Sequence, residues 1–167
     1  MDGTHRRAGA LLGAVGIALI AAGPVMLVRA RGGRKEIRTE LAAQKITFPD
    51  RGLPAELEAY AGHPVETGTE AHAYAEFIKG NLVRATGGRT YAEITAELHA
   101  AGGEDEQLSR LRQTAFMGQS LRASLMSAYQ AWQITTLVAG LGAALTGLGV
   151  ALVATADALT PRSPNRP

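Results

Sequence analysis

Three histidines and a handful of glutamates in the middle of this 167-residue chain are the side chains whose types and spacing invite metal or acid–base chemistry. His72 and Glu76 stand four residues apart, so in a helix they share one face and both could reach a metal ion. Glu70 precedes them, and His63 lies in a proline-flanked loop that could supply a further ligand, with His99 farther along. Two histidines and a carboxylate form the usual ligand set of non-haem iron oxygenases. Against that reading, no H-x-H or H-E-x-x-H string occurs, and each residue is read as simply as an exposed polar side chain on an amphipathic helix. Glu70, Glu76, Glu93 and Glu97 are likewise better read as capping or solvated groups than as a catalytic pair. There is no G-x-S-x-G elbow and no phosphate loop. Gly87-Gly88 reads as a helix stop, and the absence of cysteine removes disulfides, thiolate zinc sites and cysteine nucleophiles. We therefore expect no catalytic, cofactor-binding or metal-ligating residues, no cofactor and no enzymatic activity.

The elements that would carry these residues are short helices. Thr67-Gly68-Thr69-Glu70 fits a capping box, and Ala71, Tyr74, Ala75, Ile78 and Leu82 mark an amphipathic helix running to about Ala85. Thr90-Tyr91-Ala92-Glu93 is a second box, opening a helix with Tyr91, Ile94 and Leu98 on one side; Gly87-Gly88 and Gly102-Gly103 terminate the two. Lys45–Pro49 alternates and should be extended; Ala55–Ala61 should form a short helix after Pro54.

The chain as a whole is organised around Leu108–Ala156. No proline interrupts it, so nothing local prevents one rod of roughly 70 Å. Its first half carries a stripe of Leu108, Leu111, Ala115, Gly118, Leu121, Leu125, Ala128 and Trp132, with acidic Glu104, Asp105 and Glu106 suiting its start. Its second half, 134–156, has no charged residue, and neither does 8–28. Each block exceeds the ~18 apolar residues that mark a membrane span. The first reads as an uncleaved anchor with a kink near Pro24. Residues 29–133 carry 13 basic and 13 acidic side chains, a neutral balance that argues against nucleic acid as a partner. Ala10, Ala14, Ala18 and Ala22 recur every fourth residue, as do Ala139, Ala143, Gly147 and Ala151. Such ladders suit either a tight pairing of the two spans or a seam between copies, and an alanine-rich composition also produces them by chance. Tyr129 and Trp132 fall where aromatic rings favour the lipid–water interface, with a core role for Trp132 as the alternative.

The fold expected is all-α: a membrane helical hairpin of two transmembrane helices with a small helical domain inserted between them, the second span continuous with a long amphipathic helix. Its parts are residues 1–7, a cytoplasmic N-terminus; 8–28, the first span; 29–133, the helical domain; 134–156, the second span; and 157–167, a disordered tail.

Three stretches resemble a family of actinobacterial two-span membrane proteins of unknown role, often labelled "aromatic ring-opening dioxygenase": L-A-A-Q-K-I-T-F at 41–48, residues 71–93, and F-M-G-Q-S-L-R-A-S-L at 116–125. The G-G-R-T-Y-A-E string at 87–93 is the most specific. Basic residues leave the orientation open: Arg29, Arg31, Arg34, Lys35 and Arg38 favour a cytoplasmic middle domain, whereas Arg6, Arg7, Arg162 and Arg166 favour cytoplasmic ends, and so long a middle segment weakens the rule. The resemblance implies that both termini are cytoplasmic and the middle domain lies outside, in a multi-pass protein of the plasma membrane. The function expected is a non-catalytic envelope interaction or accessory role, with the lipid bilayer and either a second copy or an envelope protein as partners. The alternatives are the metal-dependent oxygenase of the family label and a small oligomeric channel, the latter poorly served by a lining of Thr135, Thr136 and Thr146 alone.

Overall fold

The computed structural model describes residues 2–159. Arg162, Arg166 and most of the tail expected to be disordered lie outside them. Every regular element among the described residues is helical: α1 (Asp2–Ala43), a 3-10 helix (Ala55–Tyr60), α2 (Gly68–Thr86), α3 (Tyr91–Ala100) and α4 (Glu106–Leu159). Two of them, α1 and α4, are long and apolar enough to cross a membrane, and only 11% of the most apolar window of each is buried. Helix α1 runs unbroken through Pro24 and through Gly32-Gly33. Helix α4 runs 54 residues without a break. Asp105 caps it, its Oδ1 accepting from the backbone N–H groups of Gln107 (2.8 Å) and Leu108 (2.9 Å).

The chain divides into two compact units. One joins the first 34 residues to the stretch from Ile134 onward, and the other is Lys35–Gln133.

In the second unit both capping boxes form. The Thr67 hydroxyl accepts from the Glu70 N–H, and Glu70 Oε2 accepts from the Thr67 and Glu66 N–H groups, each at 2.8 Å. At the other end of α2, Gly87 adopts φ 63°, a left-handed conformation that costs glycine nothing, and both its N–H and that of Gly88 return to the Val83 carbonyl. Arg89 then fixes the corner: its Nε donates to the Thr86 carbonyl (2.9 Å) and its Nη1 to Glu97 of α3 (2.6 Å).

The extended stretch begins one residue later than its sequence pattern suggests. Lys45 takes φ 53°, closing the end of α1, and pairing starts at Ile46. The N–H of Phe48 donates to His63 O and the N–H of Val65 to Ile46 O, around a bridge between Thr47 and Pro64. This clasp buries Phe48 and Val65 in one cluster with Leu41, Ala71, Ala73, Ala75 and Leu125. Phe48 stacks on Tyr60 (centroids 5.2 Å) and meets Tyr74 edge-on (4.9 Å). Ile94, Leu98 and Ala115 are buried as well, outside this cluster. Trp132 is half-buried against Gly68, where a β-carbon would run into the indole.

Phe48 is the largest side chain fully enclosed, so Phe48→Ala is expected to destabilise the chain by about 3–5 kcal/mol in detergent-solubilised thermal or urea unfolding. A loss below about 1 kcal/mol would show that the aromatic cluster does not hold this unit together.

Candidate functional site

The candidate ligands do not converge. His63 is exposed, and its backbone is taken by the clasp, with its N–H on Tyr60 O and its carbonyl on Phe48. The His72 ring lies against the Tyr129 ring, with centroids 4.5 Å apart. His99 is exposed near the end of α3. Among the described residues no three of His, Asp or Glu are placed to hold one metal ion.

Each of the four candidate glutamates has a structural partner. Glu70 and Glu93 close the capping boxes, and Glu97 pairs with Arg89. Glu76 binds Lys79 (3.0 Å) and Arg122 (3.4 Å). The hydrogen bond from Lys79, outweighing desolvation and seconded by Arg122, holds its carboxyl below the ordinary value. Beside it an open cleft of about 430 Å³ is bordered by Glu56, Tyr60, His72 and Glu76. Arg122 Nε is buried without a hydrogen-bond partner among the described residues.

A second groove of the same unit, about 500 Å³, runs between α2 and the start of α4 and is lined mainly by Ile78, Leu82, Ala85, Met117 and Leu121. It contains no titratable side chain. Met117 (61% exposed) borders it, and Val83 and Phe116 are apolar and exposed on the same two helices.

The most constrained geometry lies in the other unit. Along α1 every seventh residue is withdrawn from the surface: Gly9, Gly16, Gly23 and Ala30. Along α4 the same holds for Gly142, Gly149 and Ala156. A β-carbon added to Gly16 would stand 2.8 Å from the Gly149 carbonyl oxygen, and one added to Gly149 would stand 2.6 Å from the Gly16 oxygen. Gly23 and Gly142 repeat this reciprocal relation one heptad away, and a β-carbon on Gly23 would also strike the Thr146 hydroxyl. These pairs, with Gly13 beside Ala156 and Gly33 beside Thr135, run in antiparallel order. Thr146 satisfies its hydroxyl on its own helix, donating to the Gly142 carbonyl (2.9 Å). At one end Arg34 donates to Thr135 Oγ1 (3.3 Å) and Thr136 Oγ1 (3.0 Å).

The four-residue ladders are not this seam. Ala10, Ala14, Ala18 and Ala22 face outward, as do Ala143, Gly147 and Ala151, and only Ala139 is half-buried. A period of four drifts round a 3.6-residue helix, whereas a period of seven stays on the partner. The exact seven-residue spacing of Gly9, Gly16 and Gly23, matched by Gly142 and Gly149, was the signal to follow. Comparison of the chain with protein-family models, with curated proteins and with solved structures finds no match.

Two predictions follow from these contacts. A β-carbon on Gly13 lies 3.6 Å from that of Ala156, inside the roughly 3.5–4.5 Å range of a disulfide. The chain has no cysteine, so Gly13→Cys with Ala156→Cys is expected to crosslink on mild oxidation, and the outward pair Ala14→Cys with Ala151→Cys is not; the opposite pattern would refute the register. The Glu93 carboxyl is held below its ordinary 4.5 by the Thr90 backbone N–H and then by the Thr90 hydroxyl. Its folded value being depressed, the box stabilises α3 above the ordinary value and loses that contribution as pH falls through the folded one. In a carboxyl NMR titration, Thr90→Ala is expected to move Glu93 back toward 4.5, and an unmoved titration would count against the box.

Proposed function

We propose that this chain is an integral membrane protein in which the apolar parts of α1 and α4 form an antiparallel hairpin in the bilayer. In this reading both termini are cytoplasmic. The helical unit Lys35–Gln133 is presented outside the cytoplasm, where it serves as a non-catalytic interaction module of the cell envelope.

The observation that carries the reading is an inverted polarity of size. Glycines lie inside the paired segments, while Leu11 (68% exposed), Ile17 (64%), Val28 (65%) and Leu137 (73%) point out. In water so large a bare aliphatic surface would aggregate. In lipid, large apolar side chains lose nothing by facing acyl chains, and helices associate through small residues that let backbones touch. No ionisable residue lies within 8–28 or 134–156, which speaks against an ion or proton path. The orientation is supported by the basic pairs Arg6, Arg7 and Arg162, Arg166 beyond the two spans, and by a middle segment longer than the ~60 residues over which loop charge governs insertion. An interaction role is favoured over catalysis because Glu70, Glu76, Glu93 and Glu97 already have structural partners and the three histidines stand apart, whereas the apolar groove beside Met117 has no occupant among the described residues.

With no native cysteine, single substitutions report sidedness directly. Glu58→Cys is expected to react with a membrane-impermeant maleimide on intact cells, and Asp157→Cys only after lysis. The reversed pattern would overturn the orientation, and release of the chain by alkaline carbonate would overturn insertion itself. Crosslinking in membranes should recover the chain in an assembly, and a strictly monomeric chain without a partner would remove the interaction role.

A further inference from the structure

We propose that the end of the apolar unit marked by Arg29 and Arg31 is a binding site for the headgroups of anionic lipids. This rests on the membrane reading above and goes beyond it by naming a ligand. The 21 uncharged residues 8–28 make roughly 30 Å of helix at 1.5 Å per residue, about the thickness of the hydrocarbon core. Arg29 follows at once and Arg31 two residues later, at the depth where acyl chains give way to phosphates. Both are exposed, and neither enters a salt bridge among the described residues. They flank Ala30, which is 3% exposed in the seam, so at about 100° per residue the two arginines leave α1 on opposite sides of the helix pair. Their long stems can lie along aliphatic surface such as Val28 while the guanidinium heads reach outward.

The nearest carboxylate after Arg31 on α1 is Glu36, five residues on, and the 21 residues before Arg29 carry none. Guanidinium groups bind phosphate oxygens in bidentate fashion, and a cation near an anionic membrane surface attracts net-negative lipid. A lipid of net negative charge is therefore the complementary occupant, in preference to a zwitterionic one.

The test uses the full chain reconstituted in phosphatidylcholine vesicles doped with spin-labelled phosphatidylglycerol or spin-labelled phosphatidylcholine, reading the motionally restricted fraction of each. The wild-type chain is expected to retain phosphatidylglycerol about fivefold over phosphatidylcholine, a preference that shrinks with added salt. Arg29→Gln with Arg31→Gln should abolish the preference while leaving incorporation intact, and Arg29→Lys with Arg31→Lys should keep most of it. Equal retention of both lipids by the wild type, or an undiminished preference in the glutamine variant, would overturn this inference and leave the membrane reading standing. Failure of the wild-type chain to enter vesicles at all would instead overturn both.

Discussion

Two helix backbones can touch only where neither carries a side chain, and this requirement governs the long helices of this protein. Gly16 against Gly149 and Gly23 against Gly142 are reciprocal: each would drive a β-carbon into the other's carbonyl oxygen. With the backbones this close, the positions between them are filled by half-buried residues such as Leu19, Ile20, Leu145 and Val153, and every larger side chain elsewhere turns away. The seven-residue period keeps the contact on one line, because seven residues make almost two full turns. Weak Cα–H···O contacts become available at such a separation and accompany the dispersion gained by close approach. Where the glycine period ends, Thr135 and Thr136 take over with hydroxyls directed to Arg34, so the pairing changes from backbone contact to hydrogen bonding as the apolar run ends.

The unit from Lys35 to Gln133 obeys a different rule. It has few large aliphatic residues, and its order comes from aromatic contact, small buried alanines and well-satisfied helix ends. Phe48 bridges Tyr60 and Tyr74, while Ala71 and Ala75, both fully buried, allow close approach. Caps at Thr67, Thr90 and Asp105 satisfy N–H groups at helix starts that would otherwise be left unpaired. Glu70, Glu93 and Asp105 spend their carboxylates on these helix ends.

Much of this was legible in the residues themselves. Both capping boxes, the glycine stops, the 3-10 turn after Pro54 and the unbroken run of α4 are local features, written in a few consecutive residues each, and they form as their spacing implies. Three features were not readable because they depend on residues distant in sequence. The clasp that pairs Ile46 with Val65 needs Lys45 in a left-handed turn that its type does not advertise. The partnership of Glu76 with Arg122 joins residues 46 apart, so His72 and Glu76 share a helix face and yet serve a ring contact and an ion pair. The seam was written in the spacing of glycines, but the denser alanine ladders masked it, and only the burial of Gly16, Gly23, Gly142 and Gly149 separates the two patterns.

Glycines face inward and aliphatic side chains face outward, and the proposed insertion in lipid depends on both. The direct measurement is a spin-label scan of single cysteines along 134–156 in reconstituted bilayers, reading collision with oxygen, which concentrates in acyl chains. With the seam glycines left in place, a period near 3.5 residues is expected, with minima at the half-buried Ala139, Thr146 and Val153 and maxima at Leu137, Leu141 and Leu148. Minima at Ala143, Gly147 and Ala151, or collision rates that vary without period, would contradict it.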